Sequence, residues 1–503
     1  MSKRATPLKR PEIILDQSAP VPLYRQLYER LRSSILSGQL EAGTRLPSTR
    51  VLASELGVSR TTTALAYEML LLEGYIESRV GDGTRVADLH LGQVFQGNGN
   101  VRGLDGCKTP EMSPPAFARH CQALIDMPCP EVFYGEQARL GKNLFLVGQP
   151  DVTSFPYETW ARLLARHARH SLPAVSSYQF VQGYLPLRQA IATHIGLTRG
   201  VHCLPEQIFL TTGAQEALDL VARVLLNPGE TAWIEDPGYS GPRGALLAAG
   251  AQLVAVPVDG EGIEVRAGRQ LCPGARLAMV TPSHQLPTGV TMSLSRRLAL
   301  LDWSRETGAW IVEDDYDSEY RFSGRPLEAL YALDRAGRVL YIGTFSKVLF
   351  PSLRLGYVVA PPELLTGLKA TQRYRAVHLP LLEQIALADF MAEGHFARYL
   401  RKMRQLYKER RDALVDALTR ELCDRLEITV PEAGLHLAVW LPAGMSAQAV
   451  VQRAAASGLH LLPISAFSSR PLQRDGLVLG FANSSPQELR AGVHTLALVL
   501  KTY

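Results

Sequence analysis

The sequence has no Cys-x-x-Cys pair, and its six cysteines (Cys107, Cys121, Cys129, Cys203, Cys272 and Cys423) are scattered. No His/Cys cluster has zinc-ligand spacing, so no metal site is expected and free thiols in a reducing cytoplasm are the plain reading. An apolar run long enough to cross a bilayer is also lacking. Lys3, Arg4, Lys9 and Arg10 are not followed by the apolar segment and small-residue cleavage site of a secretory signal. The expectation is a cytoplasmic protein with no membrane partner. Charge of one sign is not in large excess either. A net +5 over 503 residues is too little to argue for nucleic acid, so any such claim must rest on a local motif. Internal repeats and low-complexity tracts are absent. What the chain does have is length, too much for one ordinary core, together with a globular balance of 46% hydrophobic and 20% charged residues.

Texture divides the chain into three. Residues 20–88 are dense in periodic Leu and Arg with short turns. Residues 89–141 loosen into Gly-, Asn- and Pro-rich stretches (QVFQGNGNVRGLDG and KTPEMSPP) that read as a linker. A flexible tether of that length reaches on the order of 40 Å. A short helix is expected within Ala116–Met127. From 142 to 503, β-rich runs alternate with amphipathic segments. Candidate strands are Gln207–Thr212, Thr231–Glu235, Gln252–Pro257, Leu277–Thr281, Trp310–Glu313, Val339–Gly343 and Gly356–Ala360. Helical segments such as Ala214–Leu226 and Ser293–Thr307 lie between them, which predicts an α/β domain with a mostly parallel sheet.

In the first segment Leu23, Leu27, Leu31 and Ile35 recur at helical spacing, and Gly38 ends that helix. A short helix over Ser48–Leu56 then passes through a turn at Gly57 into a second helix near Ser59. Two helices joined by a tight glycine turn make a helix-turn-helix. Ser59 is suited to cap the second helix, which leaves Arg60, Thr61 and Thr62 at its start. YIESRVGDGTRV after Gly74 reads as two short strands around a glycine turn. LPSTR, LGVSRTT, AYEMLLLEGYI and GDGT together resemble the winged-helix domain of GntR-type regulators over almost all of Val21–Val86. The resemblance implies double-stranded operator DNA as partner. Arg50, Arg60 and Thr62 would contact it, and Gly81 would approach the minor groove. The bland alternative is a protein-protein module with solvated arginines.

The informative segment of the third part is GTFSKVLFPSLRLGY, residues 343–357. Lys347 leaves a probable buried strand, where an ammonium is costly unless its pKa falls or it is used covalently. A Schiff base with an aldehyde cofactor meets that need. Ser346 and Arg354 suit a phosphate dianion. Upstream, IVEDDYDSEYRF places Asp314 just past a strand, where a carboxylate pairs with a protonated pyridine nitrogen; Tyr316 suits the ring's phenolic oxygen. FLTTGAQEALDL offers the backbone amides of Ala214 and Gln215 at a helix start, a phosphate-binding arrangement. Tyr239 in DPGYSG can stack on the ring. Each cluster alone is weak. In this order they resemble fold-type-I pyridoxal-phosphate aminotransferases over about Leu144–Val499, which implies pyridoxal 5'-phosphate as cofactor and Lys347 as the residue carrying the internal aldimine.

Joined, the two halves resemble the MocR-type subfamily of GntR regulators, so the expected fold is multidomain: a mainly α winged helix-turn-helix with a β wing, then an α/β fold-type-I domain. The resemblance implies a homodimer built through the larger domain, with the small effector being pyridoxal phosphate itself or an amino compound. Two departures stand out. In TPSHQLPTG, Leu286 holds the place where aminotransferases present Asn. Two readings of His284 then stand side by side, a replacement contact to the cofactor or a structural turn residue. In GLVLGFAN, Val478 stands where aminotransferases place the arginine that grips a substrate carboxylate, with Arg470 and Arg474 on a nearby loop. Without that anchor, efficient transamination of amino acids is disfavoured. A regulator is the leading reading; a working aminotransferase with an appended DNA-binding domain is the alternative.

Overall fold

The computed structural model describes residues 13–17, 19–79, 83–88, 117–127, 144–170, 177–178, 181–324 and 328–501. The chain forms two compact units, Met1–Pro115 and Ala116–Tyr503.

In the first unit, α1 (Leu23–Leu36), α2 (Thr49–Leu56) and α3 (Arg60–Leu72) precede the antiparallel hairpin of β1 (Ile76–Arg79) and β2 (Gly83–Val86). Local chemistry sets each boundary. The Ser48 side chain accepts from the Val51 amide at 3.3 Å and that of Ser59 from the Thr62 amide at 3.1 Å, so α2 and α3 both begin on a serine cap. Gly57, at φ 63°, ends α2 in the left-handed conformation that only glycine adopts freely. The turn between the helices is fixed from inside: the Thr63 hydroxyl donates to the Thr49 carbonyl at 2.9 Å, and the Tyr67 hydroxyl to that of Pro47 at 2.9 Å. Leu27, Leu31, Ala66, Leu70 and Ile76 make the core. Gly81, the wing-tip residue singled out by sequence, lies outside the described residues.

The second unit holds two sheets. Its main sheet has eight strands in the order β3-β10-β9-β8-β7-β4-β5-β6. These are β3 (Ile208–Thr211), β4 (Thr231–Asp236), β5 (Gln252–Asp259), β6 (Gly262–Ile263), β7 (Leu277–Val280), β8 (Trp310–Asp315), β9 (Val339–Thr344) and β10 (Gly356–Val359). β4, β5, β7, β8 and β9 run parallel; β10 is antiparallel to both its neighbours. Every candidate strand named from sequence is a strand of this sheet. The one boundary that matters for chemistry differs: β8 runs on to Asp315, so Asp314 lies within the strand instead of just past it.

Helices cover this sheet on both faces: α4 (Arg119–Ile125), α5 (Tyr157–His170), α6 (Leu185–Arg199), α7 (Ala214–Leu225), α8 (Ser240–Ala248), α9 (Val265–Leu271), α10 (Leu294–Thr307), α11 (Leu330–Leu333), α12 (Leu365–Arg375) and α13 (Leu382–Ala392). One core lies between α7, α8 and the sheet, and another around the stacked Trp233 and Trp303 rings, 3.9 Å apart. α4, inside the stretch read as linker, packs against α8. The long α14 (His395–Leu422) leads to a second, antiparallel sheet of β11 (Glu427–Thr429), β12 (His436–Trp440), β13 (Leu462–Pro463) and β14 (Gly476–Gly480), in the order β11-β12-β14-β13. α15 (Ala447–Ala456) and α16 (Pro486–Leu500) complete it, with α16 packed along α14.

Each unit has its own core, so damage to one should spare the other. Leu70 is fully buried in α3, and Leu70→Ala is expected to cost the first unit about 2–5 kcal/mol. Calorimetry of the full chain should show one transition moved down and the other in place. Two transitions falling together would mean that the units unfold as one.

Candidate functional site

The site of the second unit forms where the parallel strands end. Alternation along β8 sends Glu313 and Asp315 to one face and Asp314 to the other. On the first face the Arg199 guanidinium meets the Asp315 carboxylate at 2.8 Å, and the Tyr341 and Ser318 hydroxyls donate to the same oxygen at 2.7 and 2.8 Å. Glu313 accepts from the Tyr331 amide at 3.0 Å. Asp314 has no such support. Its side chain is buried, and its Oδ1 has no hydrogen-bond partner among the described residues. Burial, reinforced by the negative charges of Asp315, Glu235 and Asp317, raises its pKa from 3.8 to about 7.

Lys347 lies in the turn after β9, half-buried, with its ammonium nitrogen donating to the Gly148 carbonyl at 2.8 Å. Burial lowers its pKa, partly offset by Asp317 and Asp314. A lysine held low is neutral more of the time and hence a better nucleophile toward an aldehyde.

The strand register gathers the anion-binding groups. Gly356 of β10 pairs with Thr211 on one side and Thr344 on the other, which brings the β3–α7 turn and the turn carrying Ser346 to the same end of the sheet. Gly213 caps α7 at φ 121°, and a Cβ placed there would lie 3.4 Å from the Arg354 guanidinium. Arg354 is therefore drawn against the start of α7, whose first residues are Ala214 and Gln215. The Ser346 hydroxyl is buried with no partner among the described residues. A guanidinium, a free hydroxyl and a helix start make a fitting cradle for a phosphate dianion.

Tyr316 and Tyr239 border this site. The Tyr316 hydroxyl donates to the His284 carbonyl at 2.8 Å, and it lies 3.4 Å from His284 Nδ1. The His284 ring is buried. Its Nδ1 is 2.9 Å from the Asp317 carboxylate, and its centroid is 4.3 Å from that of His436. Gly434, at φ 92°, makes room for it, since a Cβ there would come within 2.0 Å of Nδ1. Leu286 turns into an apolar cluster with Val147 and Val478. The loop carrying both is pinned by Glu235, which accepts from the Thr281 amide at 3.1 Å and its hydroxyl at 2.6 Å, and from the Gln285 amide group at 3.3 Å. Arg470 and Arg474 are engaged elsewhere. Arg470 donates to the Ala255 carbonyl at 3.0 Å, and Arg474 pairs with Glu427.

Sequence reasoning missed Glu235, Gln285, Asp317, His436 and the Arg199–Asp315 pair. Four acids in EDDYD were a visible signal for part of this set. His436 and Arg199 come from elements far away in sequence, and nothing local marks them.

In the first unit, Arg50, Ser59, Arg60 and Thr61 are exposed and Thr62 is half-exposed, on and around the start of α3. Arg45, not singled out by sequence, is also exposed; it bridges to Arg85 of β2, and its guanidinium lies 3.2 Å from where a Cβ on Gly83 would sit.

These features define a winged helix joined to a domain of the pyridoxal-phosphate aminotransferase type. The model of "Bacterial regulatory proteins, gntR family" matches residues 23–86, and that of "Aminotransferase class I and II" matches residues 140–496. The chain is 43% identical to the probable rhizopine catabolism regulatory protein MocR of Rhizobium meliloti over 96% of this chain and 95% of that one. It is 32% identical to the pyridoxine biosynthesis transcriptional regulator PdxR of Corynebacterium glutamicum, over 95% and 96%. Among solved structures it is similar to the α-aminoadipate aminotransferase LysN of Thermus thermophilus, complexed with N-(5'-phosphopyridoxyl)-L-leucine. That match has a TM-score of 0.69 and 32% identity, and covers 77% of this chain and 97% of that one. The chain belongs to the MocR-type regulators of the GntR family, in which a DNA-binding winged helix is fused to an aminotransferase-like domain. Pyridoxal phosphate is the cofactor of that domain, and the orphaned Asp314 and Ser346 atoms and the Gly213 cradle fit it.

The pKa of Asp314 has a measurable consequence. In cofactor-free protein the folded state binds a proton at Asp314 more tightly than the unfolded chain does. Its burial is therefore tolerated below about pH 4 and destabilising above about pH 7, by about 4 kcal/mol in the limit. Asp314→Asn does not titrate. Cofactor-free Asp314→Asn should melt above wild type at pH 8, with the gap closing as the pH falls to 5. Parallel curves across that range would show that Asp314 is already ionised.

Proposed function

We propose that the chain is a cytoplasmic transcriptional regulator that grips operator DNA differently when pyridoxal phosphate, alone or with an amino compound, occupies the Lys347 site. One observation carries this reading: a single chain joins a winged helix with an exposed Arg60 at its recognition-helix start to a half-buried Lys347 that interacts electrostatically with the buried Asp314, whose Oδ1 has no partner among the described residues.

The roles follow from the chemistry of each group. Lys347 would bond the cofactor's aldehyde carbon. Asp314 would hold a proton at the ring nitrogen, and Tyr316, backed by His284, would meet the phenolic oxygen. Arg354, Ser346 and the amides of Ala214 and Gln215 would take the phosphate, and Tyr239 would stack on the ring. When bound, the cofactor supplies an electrophilic carbon that captures primary amines. In the first unit Arg50, Ser59, Arg60, Thr61 and Thr62 face the DNA with Gly81 at the wing, and Arg45 adds a cation beside the hairpin. The homodimer forms through the aminotransferase-like unit, and engaging two half-sites raises affinity through effective concentration. A switch of this kind requires that the small ligand bind two conformations with different affinities.

A second reading, a working aminotransferase with DNA binding appended, is favoured by the intact Lys347, Asp314 and Arg354 set. Keto-acid formation at ordinary enzymatic turnover would support it.

The deciding experiment is a gel shift of cofactor-stripped protein on the DNA upstream of its own gene, with and without pyridoxal phosphate. The expected result is a change in affinity or footprint that Lys347→Ala abolishes together with the visible absorption of bound cofactor. DNA binding blind to both pyridoxal phosphate and amines would overturn the proposal. Arg60→Ala should weaken DNA binding about tenfold or more and leave the cofactor absorption as it was; binding equal to wild type would remove α3 from the DNA.

A further inference from the structure

The turn that carries Lys347 is clamped to the acidic turn after β8. The fully buried Tyr320 makes the clamp: its amide donates to the Asp317 carbonyl at 3.1 Å, and its hydroxyl donates to the carbonyl of Val348, the residue after Lys347. From the β11–β12 loop the Gly434 amide donates to the Tyr320 carbonyl at 3.0 Å. Nucleophile and carboxylate are thereby fixed relative to each other.

The Asp317 carboxylate is buried and thinly supported. Its Oδ2 accepts from the His284 ring at 2.9 Å, and its Oδ1 has no partner among the described residues. An ionised carboxylate has no proton to give, so the Nδ1–H of His284 points at it. A charge with so few donors in a dry interior keeps much of its field for its neighbours. Burial lowers the pKa of Lys347, and the Asp317 charge opposes that fall more than Asp314 does.

The other charges facing the pair are accounted for. Asp315 has Arg199 and two hydroxyls, and Glu235 has the Thr281 and Gln285 donors. Glu319, in the same turn as Asp317, lies 3.9 Å from His194, and Arg354 lies in the phosphate cradle. His436, stacked behind His284, is held neutral by burial. The Tyr316 hydroxyl is tied to the His284 carbonyl. Asp314 would be taken up by the ring nitrogen of the cofactor. Asp317 alone is left to face the lysine.

From this we infer that Asp317 is the counter-charge of the Lys347 nitrogen, a positioning residue that fixes how tightly the link between Lys347 and the cofactor keeps its proton. The inference rests on Lys347 as the residue that bonds the cofactor.

The test is a pH titration of the visible absorption of the full-length protein loaded with pyridoxal phosphate. Asp317→Asn keeps an acceptor for the His284 ring and removes the charge. A protonated link without its counter-charge gives up the proton more easily, so the absorption midpoint should fall by about one pH unit, a tenfold weaker hold. A midpoint equal to that of wild type, or higher, would overturn the inference. Should Asp317→Asn take up no cofactor, His284→Ala carries the same test: Asp317, left without its donor, takes up a proton and loses its charge, and the midpoint should again fall. An unchanged or raised midpoint there would equally overturn it. Wild type that gains no visible absorption from added pyridoxal phosphate would remove the Lys347 site itself, and the role of Asp317 with it.

Discussion

The second unit is organised around the burial of negative charge at the end of β8. Glu313, Asp314, Asp315 and Asp317 are all buried, and Glu235 from β4 joins them. Buried carboxylates destabilise a fold unless each has a cation, a set of donors or a proton. The strand's alternation divides the problem. Asp315 is matched by Arg199, with two hydroxyls besides, and Asp317 by the His284 ring. Glu235 is met by neutral donors from the Thr281 loop. Asp314 alone is left to be matched by a ligand. Each of its neighbours has at least one partner on one carboxylate oxygen, and these hold Asp314 in place.

That arrangement links the site to the outer parts of the fold. Arg199 is the last residue of α6, and its guanidinium also reaches Ser283 at 2.5 Å. One buried cation thus joins α6, β8 and the loop that ends at Gly289. His436 comes from β12, so the smaller sheet is packed directly behind Tyr316 through His284. A rearrangement at the Lys347 site has short mechanical routes both to α6 and to the second sheet.

Much of this was legible in sequence, for a physical reason. The main sheet is buried on both faces, so its strands are near-continuous apolar runs broken by helices of clear periodicity. The winged helix was legible because serine caps start α2 and α3 and Gly57 ends α2. The ordered Lys347, Asp314 and Arg354 clusters lie at strand ends, where a polar residue beside an apolar run is conspicuous. The second sheet was mostly illegible: its strands are short, and β13 has only Leu462 and Pro463. The partners of His284 were hidden too. Asp317 is close in sequence, but His436 is brought alongside only by tertiary packing, so neither reading of that histidine was decidable from its own loop.

Gly434 gives the His284 ring its space, and that space exists only while residue 434 has no side chain. Positions 284 and 434, though 150 residues apart, are therefore not free to vary independently over evolutionary time. A relative with any other residue at 434 must have surrendered the imidazole or moved its loop, and with it the carbonyl that holds the tyrosine hydroxyl. Drift at one glycine in the β11–β12 loop thus reports on the state of the cofactor site.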